Sequence, residues 1–128
     1  MIKKLILVGA GPGDPELISL KGIKALQQAN VVMYDALVSE ELLQHAPNAI
    51  KLFCGKRAGT HYMKQDEINQ QIVEQANKHG VVVRLKGGDP FIFGRGQEEI
   101  EFAEKHGIEI EVILGISSVK ALATAQKI

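Results

Sequence analysis

The sequence predicts an α/β fold in which a mainly parallel five-stranded sheet carries helices on both faces. Three observations lead to this fold class. Short apolar runs alternate with amphipathic helical segments from one end of the chain to the other. Glycine bounds several of these runs, as expected for strands that are buried on both faces of a parallel sheet. The most unusual residues follow the ends of the runs, where ligands of such sheets bind.

The predicted strands are short segments rich in valine, isoleucine and leucine. They cover residues 5–8, 31–34, 50–53, 81–85 and 110–114. The predicted helices are marked by capping residues and by apolar residues at helical spacing. They cover residues 20–28, 40–45, 67–79, 97–106 and 117–126. A glycine-rich loop over residues 86–96 is expected to join the fourth strand to the next helix.

Individual residues set the predicted ends of two helices. Ser19 is expected to cap the helix over residues 20–28. Asp66 is expected to cap the third helix, and Gly80 to end it. The residues that line one face of this third helix are Ile68, Ile72, Val73 and Ala76.

Composition limits the class of protein. The 15 basic residues balance 15 acidic ones, which argues against a generic nucleic-acid coat or an anionic-membrane binder. With 45% hydrophobic residues, the 128-residue chain has enough apolar material for one compact domain. Cys54 is the single cysteine, so no intrachain disulfide is possible. The first apolar run is too short for a signal peptide, and none reaches bilayer-spanning length. We therefore expect a soluble cytoplasmic protein.

A Gly/Pro-rich segment, residues 9–15, follows the first strand and allows tight turning and close approach to a ligand. It is not a dinucleotide-binding fingerprint, because Asp14 stands where that motif needs glycine. Pro12 and Pro15 also lack the N–H donors that a phosphate cradle uses. A plain strand-to-helix turn remains an open alternative.

Polar residues also follow the second and third strands. Asp35 is placed to accept a proton or to hold a donor group of a substrate, but a helix or turn cap is the commoner role for a residue of this kind. Lys56 and Arg57 form a pair of cations suited to an anionic substrate, or an ordinary solvated loop. We expect no metal site, because the histidines lack ligand-pair spacing and Cys54 has no partner.

The most informative segment covers residues 82–96, VVRLKGGDPFIFGRG. Gly87 and Gly88 allow backbone groups to approach a ligand. Asp89 can accept hydrogen bonds from hydroxyl or amino groups. Residues 91–93 are apolar and offer a wall for a flat heterocycle.

Together these segments resemble the uroporphyrinogen III C-methyltransferases, within the wider tetrapyrrole methylase family. The matching strings agree in order and spacing, and they are VGAGPGD at 8–14, VMYD at 32–35, GKR at 55–57 with Gly59, and VRLKGGDPFIFGRG at 83–96. The resemblance spans the chain but covers only the first half of the family's methyltransferase module. It implies that residues 1–128 form an N-terminal domain ending near the start of a second α/β domain.

The resemblance also implies the chemistry and the residues that carry it. Family members use S-adenosylmethionine, need no metal, usually form homodimers, and hold the active site between their two domains. Asp35 is the implied proton acceptor and Lys56 the implied proton donor. Arg57 and Arg95 are natural partners for the carboxylates of the tetrapyrrole. The residues implied to contact S-adenosylmethionine are Pro12, Gly87, Gly88, Asp89, Ile92, Ser117 and Ser118.

The implied reaction transfers two methyl groups to uroporphyrinogen III and gives precorrin-2, in sirohaem or cobalamin biosynthesis. Two residues depart from the family pattern: Leu114 replaces a proline before Gly-Ile-Ser, and Gln97 replaces a common glycine. The alternatives are a precorrin methyltransferase of the same family, an inactive isolated half-domain and, more distantly, a generic nucleotide-binding module. The serines at 117 and 118 are also ordinary capping residues for the last helix.

Overall fold

The computed structural model describes residues 1–10, 18–36, 38–55, 63–87 and 94–113, with Arg95 described by its backbone alone. Within these ranges five strands form one sheet in the order β3-β2-β4-β1-β5. The strands are β1 (Lys4–Gly9), β2 (Val31–Tyr34), β3 (Ile50–Phe53), β4 (Val81–Lys86) and β5 (Glu109–Ile113). All four strand pairings are parallel, which confirms the predicted fold class.

Burial follows the position of each strand in the sheet. In the interior strand β1, which lies between β4 and β5, Leu5 to Val8 are at most 2% exposed, as expected for a strand covered on both faces. The edge strand β5 is more exposed and alternates charged and apolar residues. Lys4 of β1 contacts two carboxylates of β5, with its Nζ 3.6 Å from Glu109 and 2.6 Å from Glu111.

Helices cover both faces of the sheet, as predicted. The helical elements are α1 (Leu20–Gln28), a 3₁₀ helix (Glu40–His45), α2 (Gln65–His79) and α3 (Gly94–Lys105). One core joins Ile6 and Val8 to Leu26 of α1 and to the 3₁₀ helix. The opposite core joins alternate residues of the same strands to apolar residues of α2 and α3. The residues of this second core are Leu5, Leu7, Val31, Met33, Cys54, Ile68, Ile72, Ala76, Val82, Ala103 and Ile108.

The first helix has the predicted bounds and the predicted cap. The Oγ of Ser19 accepts a hydrogen bond from the Gly22 backbone N–H at 3.0 Å, which satisfies one of the free donors of the first turn. A Cβ at Gly22 would lie 2.9 Å from Ile18 and 3.1 Å from Val8, so a small residue lets α1 pack closely on the sheet. Burying Leu26 completely contributes about 1.5–3 kcal/mol to stability.

The prediction that Asp66 caps α2 is wrong. The helix begins one residue earlier, at Gln65, and Lys64 is its cap residue. The Lys64 N–H donates to Glu67 Oε1 at 3.3 Å, and Asp66 lies in the first turn, where a carboxylate interacts favourably with the helix dipole. Gly80 ends the helix as predicted, with φ at 105°, a value that favours glycine.

The predicted start of α3 is also wrong. The helix begins at Gly94 rather than at residue 97, so the loop after β4 is shorter than predicted. Each glycine lowers helix propensity by about 1 kcal/mol, which is why the sequence indicated a loop. Gly96 is buried, so packing against the rest of the fold outweighs that propensity. The predicted last helix, at residues 117–126, lies outside the described residues.

Candidate functional site at the carboxyl edge of the sheet

The direction of the connections defines a crevice at one edge of the sheet. Strands β1 and β4 are neighbours, but the chain leaves β1 toward α1 on one face and leaves β4 toward α3 on the other. Such a reversal leaves a crevice outside the carboxyl ends of the two strands, where open α/β sheets bind ligands. The Ala10 N–H donates to the Lys86 carbonyl at 2.8 Å and joins the two strand ends there.

Asp35 lies beside this crevice. It follows β2 directly, and β2 pairs with β4 so that Tyr34 stands opposite Leu85. The next residues along these strands, Asp35 and Lys86, are therefore neighbours at the carboxyl edge. The Asp35 carboxylate acts on Lys86 electrostatically, which agrees with this placement. Its side chain is partly buried rather than fully solvated.

Gly55 brings the end of β3 against the backbone of Asp35. A Cβ at Gly55 would lie 2.5 Å from the Ala36 nitrogen and 2.9 Å from Phe53 Cζ, closer than any real Cβ approaches. The Cys54 N–H also donates to the Tyr34 carbonyl at 2.8 Å. The chain at Gly55 therefore lies next to Asp35, and Lys56 and Arg57 lie outside the described residues.

A buried ionic network supports the same edge from the α2 and α3 side. We call its members Gln65, Arg84, Lys86 and Glu99 the Glu99 network. Glu99 is 0% exposed and Arg84 4% exposed. Glu99 Oε1 accepts from Arg84 Nε at 3.2 Å. Glu99 Oε2 accepts from Lys86 Nζ and from Gln65 Nε2, both at 3.1 Å.

Neighbouring polar groups complete the network. Gln65 Nε2 also donates to Asn69 Oδ1 at 2.9 Å, and Arg84 Nη1 donates to the Met33 carbonyl at 3.5 Å. Within the described residues, every buried side-chain nitrogen and oxygen has a hydrogen-bond partner. Such full satisfaction is what allows charged groups to remain in an interior.

The network places two cations around one carboxylate. Burial lowers the pKa of Lys86, and the attraction of Glu99 opposes this shift without cancelling it. The nearby Arg84 guanidinium lowers the pKa of Lys86 further. The charged form of Lys86 is therefore less favourable here than in water, and Glu99 is the main group that stabilises this charged form.

Sequence reasoning missed the Glu99 network. The available signal was Arg84 in the predicted strand over residues 81–85 and Lys86 directly after it, because residues two positions apart along a strand share a face. Two cations on one face of such a strand require a buried counter-ion. Which carboxylate supplies it depends on how α3 packs, and sequence spacing does not give that.

Cys54 is not suited to nucleophilic chemistry. Its thiol is buried, and that burial raises its pKa. The Sγ donates to the Leu52 carbonyl at 3.7 Å. A thiol rather than a thiolate therefore predominates at neutral pH, and it acts as a small apolar group in the core.

Two residues of the predicted site are described in full, namely Asp35 and Gly87, and both lie at the carboxyl edge. Arg95 lies in the first turn of α3, which begins near the same edge because it follows β4. The other predicted site residues lie outside the described residues. They are Pro12, Lys56, Arg57, Gly88, Asp89, Ile92, Ser117 and Ser118.

Three other features were considered as functional sites: a cavity between α2 and α3, a metal site and a membrane-spanning helix. A cavity of about 340 Å³ lies between α2 and α3 beside Asn77 and His106, at the helix ends farthest from the carboxyl edge. In the described ranges no three His, Cys, Asp or Glu side chains converge as a metal site would require. None of the described helices has the length and apolar character needed to cross a bilayer.

Known proteins resemble this chain in sequence and in fold. The profile of the tetrapyrrole (corrin/porphyrin) methylases matches residues 4–128. The chain belongs to this family. A uroporphyrinogen-III C-methyltransferase of Methanocaldococcus jannaschii is 58% identical over 95% of this chain and 51% of its own length. The tetrapyrrole methylase chain described here thus spans about half the length of the curated relatives it matches.

Solved structures of tetrapyrrole methylases show the same architecture. A uroporphyrin-III C-methyltransferase of Thermus thermophilus, complexed with S-adenyl homocysteine, is 48% identical with a TM-score of 0.76. The match covers 94% of this chain and 51% of that one. A cobalt precorrin-4 methyltransferase is 38% identical with a TM-score of 0.74, over 98% of this chain and 51% of that one.

Proposed function

We propose that this chain is the first domain of an S-adenosylmethionine-dependent C-methyltransferase that converts uroporphyrinogen III into precorrin-2. The observation that carries the proposal is the 58% identity to a uroporphyrinogen-III C-methyltransferase over 95% of the chain. The geometry supports it, because Asp35 and Gly87 lie beside a crevice at the carboxyl edge of a parallel sheet. A second domain would complete the cleft.

The proposed chemistry asks the protein mainly to position two reactants. A pyrrole carbon attacks the methyl group, the carbon–sulfur bond breaks, and its electron pair remains on the sulfur as a thioether. The methylated ring then loses a proton. Holding both reactants in line contributes several kcal/mol, of the roughly 7–11 kcal/mol that ideal positioning supplies. Asp35 accepts this proton, and Lys56 is the proton donor in the tautomerisation of the methylated ring, whose net loss remains one proton for each methyl group.

The remaining residues divide between the two reactants. Arg57 and Arg95 bind carboxylates of the tetrapyrrole as planar guanidinium groups. The residues that contact S-adenosylmethionine are Pro12, Gly87, Gly88, Asp89, Ile92, Ser117 and Ser118. The family resemblance further supports a metal-free homodimer in the cytoplasm that serves sirohaem or cobalamin synthesis.

The test measures product mass, turnover and S-adenosylhomocysteine binding with the full-length protein. The wild type is expected to add two methyl groups to uroporphyrinogen III. Asp35→Asn is expected to lower kcat by about a hundredfold or more, with the Kd for S-adenosylhomocysteine unchanged. The control is Glu104→Gln, an exposed carboxylate near the end of α3, which is expected to change neither quantity.

Other outcomes would assign other roles. An equal loss of turnover and of S-adenosylhomocysteine binding in Asp35→Asn would make Asp35 a structural residue. One added methyl group, on a precorrin but not on uroporphyrinogen III, would favour the second candidate function. That candidate is a precorrin methyltransferase, and the 38% identity to a cobalt precorrin-4 methyltransferase supports it. If the full-length protein binds both reactants and residues 1–128 alone bind neither, the isolated chain is an inactive half-domain.

A further inference from the structure

Lys86, at the end of β4, forms hydrogen bonds to the residue that follows β1 and to α3. Its carbonyl accepts from the Ala10 N–H at 2.8 Å, at the start of the segment that follows β1. Its Nζ donates to Glu99 at 3.1 Å, thirteen residues farther along the chain. Its backbone continues directly into Gly87. The position of Gly87 is therefore tied to β1 through the main chain and to α3 through a side chain.

Glu99 extends these links to α2. Its three hydrogen-bond donors are Arg84 and Lys86 of β4 and Gln65 at the first position of α2. A single buried carboxylate in the second turn of α3 thus fixes the spacing between α3, the end of β4 and the first turn of α2. Hydrogen bonds are directional and apolar contacts are not, so these three bonds to one ionised group fix the spacing more narrowly than apolar packing does.

Stability alone does not explain the Glu99 network. Apolar residues of similar volume often hold a helix to a sheet as well as a buried ion pair, or better, because they carry no desolvation cost. The same face of β4 already does this at Val82, which packs in the apolar core with α2 and α3. The change from apolar to charged residues along that face occurs where β4 approaches the crevice.

We propose that Lys86 and Glu99 form a positioning pair that holds the backbone at Gly87 for S-adenosylmethionine. Neither residue is assigned a contact with the reacting atoms. This inference rests on the proposed function, because Gly87 is taken to contact the cofactor. Arg84 has a different part in the network: it joins Glu99 to β2 through the Met33 carbonyl and lies two residues farther from the crevice.

A matched pair of variants in the full-length protein tests the proposal. Lys86→Met and Arg84→Met each remove one buried cation and leave Glu99 with the other. Lys86→Met is expected to raise the Kd for S-adenosylhomocysteine and the KM for S-adenosylmethionine by about tenfold, since small displacements at a site are costly. Arg84→Met is expected to change both by less than about twofold while lowering the unfolding temperature. Lys86→Arg keeps a cation that can donate to Glu99 and is expected to retain most of the affinity.

Different results would overturn different statements. If the wild type binds no S-adenosylhomocysteine, the proposed function fails. If the wild type binds it and Lys86→Met binds it equally well, the positioning role is refuted and the proposed function stands. Equal losses of affinity in both methionine variants would mark a structural network and also refute the role. If Lys86→Met does not fold, Glu99→Asp keeps the charge but withdraws the carboxylate from all three donors, and unchanged S-adenosylhomocysteine affinity in that variant would refute the positioning role.

Discussion

Replacing Glu99 with glutamine is expected to destabilise the fold by about 3–5 kcal/mol, because it leaves the buried Arg84 and the largely buried Lys86 without a counter-ion. The structure gives the size of the loss. Glu99 lies 3.2 Å from Arg84 Nε and 3.1 Å from Lys86 Nζ. At an effective dielectric constant of about 20, each unit pair at this separation attracts by about 5 kcal/mol. The several kcal/mol recovered by no longer burying a carboxylate offset part of this loss.

The geometry of the hydrogen bonds gives a second measure. Three donors converge on the two oxygens of Glu99. A glutamine amide has one oxygen, so at least one donor would face an NH₂ group. Each hydrogen bond lost to a charged group costs about 1.5–3 kcal/mol. One or two such losses agree with the estimate of 3–5 kcal/mol from the charges.

Hydrogen exchange followed by mass spectrometry provides the assay, because peptides from β4 report the free energy of opening of that strand. The control is Glu111→Gln, whose partner Lys4 lies 2.6 Å away at a surface where the Glu111 side chain is 44% exposed. A surface pair of this kind contributes less than about 1 kcal/mol. The double variant Glu99→Gln, Lys86→Met is expected to recover at least about 1 kcal/mol, because it removes the excess cation.

A loss of less than about 1 kcal/mol in Glu99→Gln would refute this account, since the surface control reaches that size by itself. Failure of the double variant to recover stability would refute it in a different way. It would show that repulsion between the two cations is not what the carboxylate relieves.

Two further predictions concern Gly55 and the pH dependence of stability. Gly55→Ala forces a Cβ within 2.5 Å of the Ala36 nitrogen, and it is expected to cost about 1–3 kcal/mol and to lower turnover more than S-adenosylhomocysteine binding. Gly107→Ala is the control, since its φ of +76° disfavours a side chain but no atom lies within 4 Å of the added Cβ. This change is expected to lower the free energy of unfolding in urea by about 1–2 kcal/mol and to leave turnover unchanged. For Lys86, a folded pKa below the usual 10.5 means that the folded state binds fewer protons than the unfolded state as pH rises toward 10.5. Stability from this group therefore increases with pH in that window, and urea titrations of Lys86→Met are expected to lack the increase; an identical pH profile in wild type and variant would contradict the burial effect.

Much of the fold follows from the sequence because its signals are local. The bounds of α1 and β2 agree with prediction, since Ser19 caps the helix and the strand is a short run of apolar residues. The start of α3 does not, because glycine propensity favoured a loop and the burial of Gly96 outweighed it. Local rules therefore fail where packing between distant segments decides the outcome.

In the candidate site, too, residues placed by local rules could be predicted, and residues placed by packing between distant segments could not. The place of Asp35 follows from the rule that a residue after a parallel strand lies at the carboxyl edge of the sheet. Glu99 and Gln65 were missed, because their meeting requires α2 and α3 to pack side by side on one face of the sheet. The two residues are 34 positions apart in the chain, and no short-range pattern joins them.

Strand β4 shows how one short segment serves both the core and the site. Val83 and Leu85 face one side and are completely buried in the apolar core with α1. On the other side the residues change from Val82 to Arg84 and then to Lys86 as the strand approaches the crevice. Burying two cations is unfavourable unless a carboxylate meets them, and Glu99 does so from the helix that follows. The charged face therefore makes the end of β4 depend on the position of α3, which couples the backbone at Gly87 to the packing of the domain.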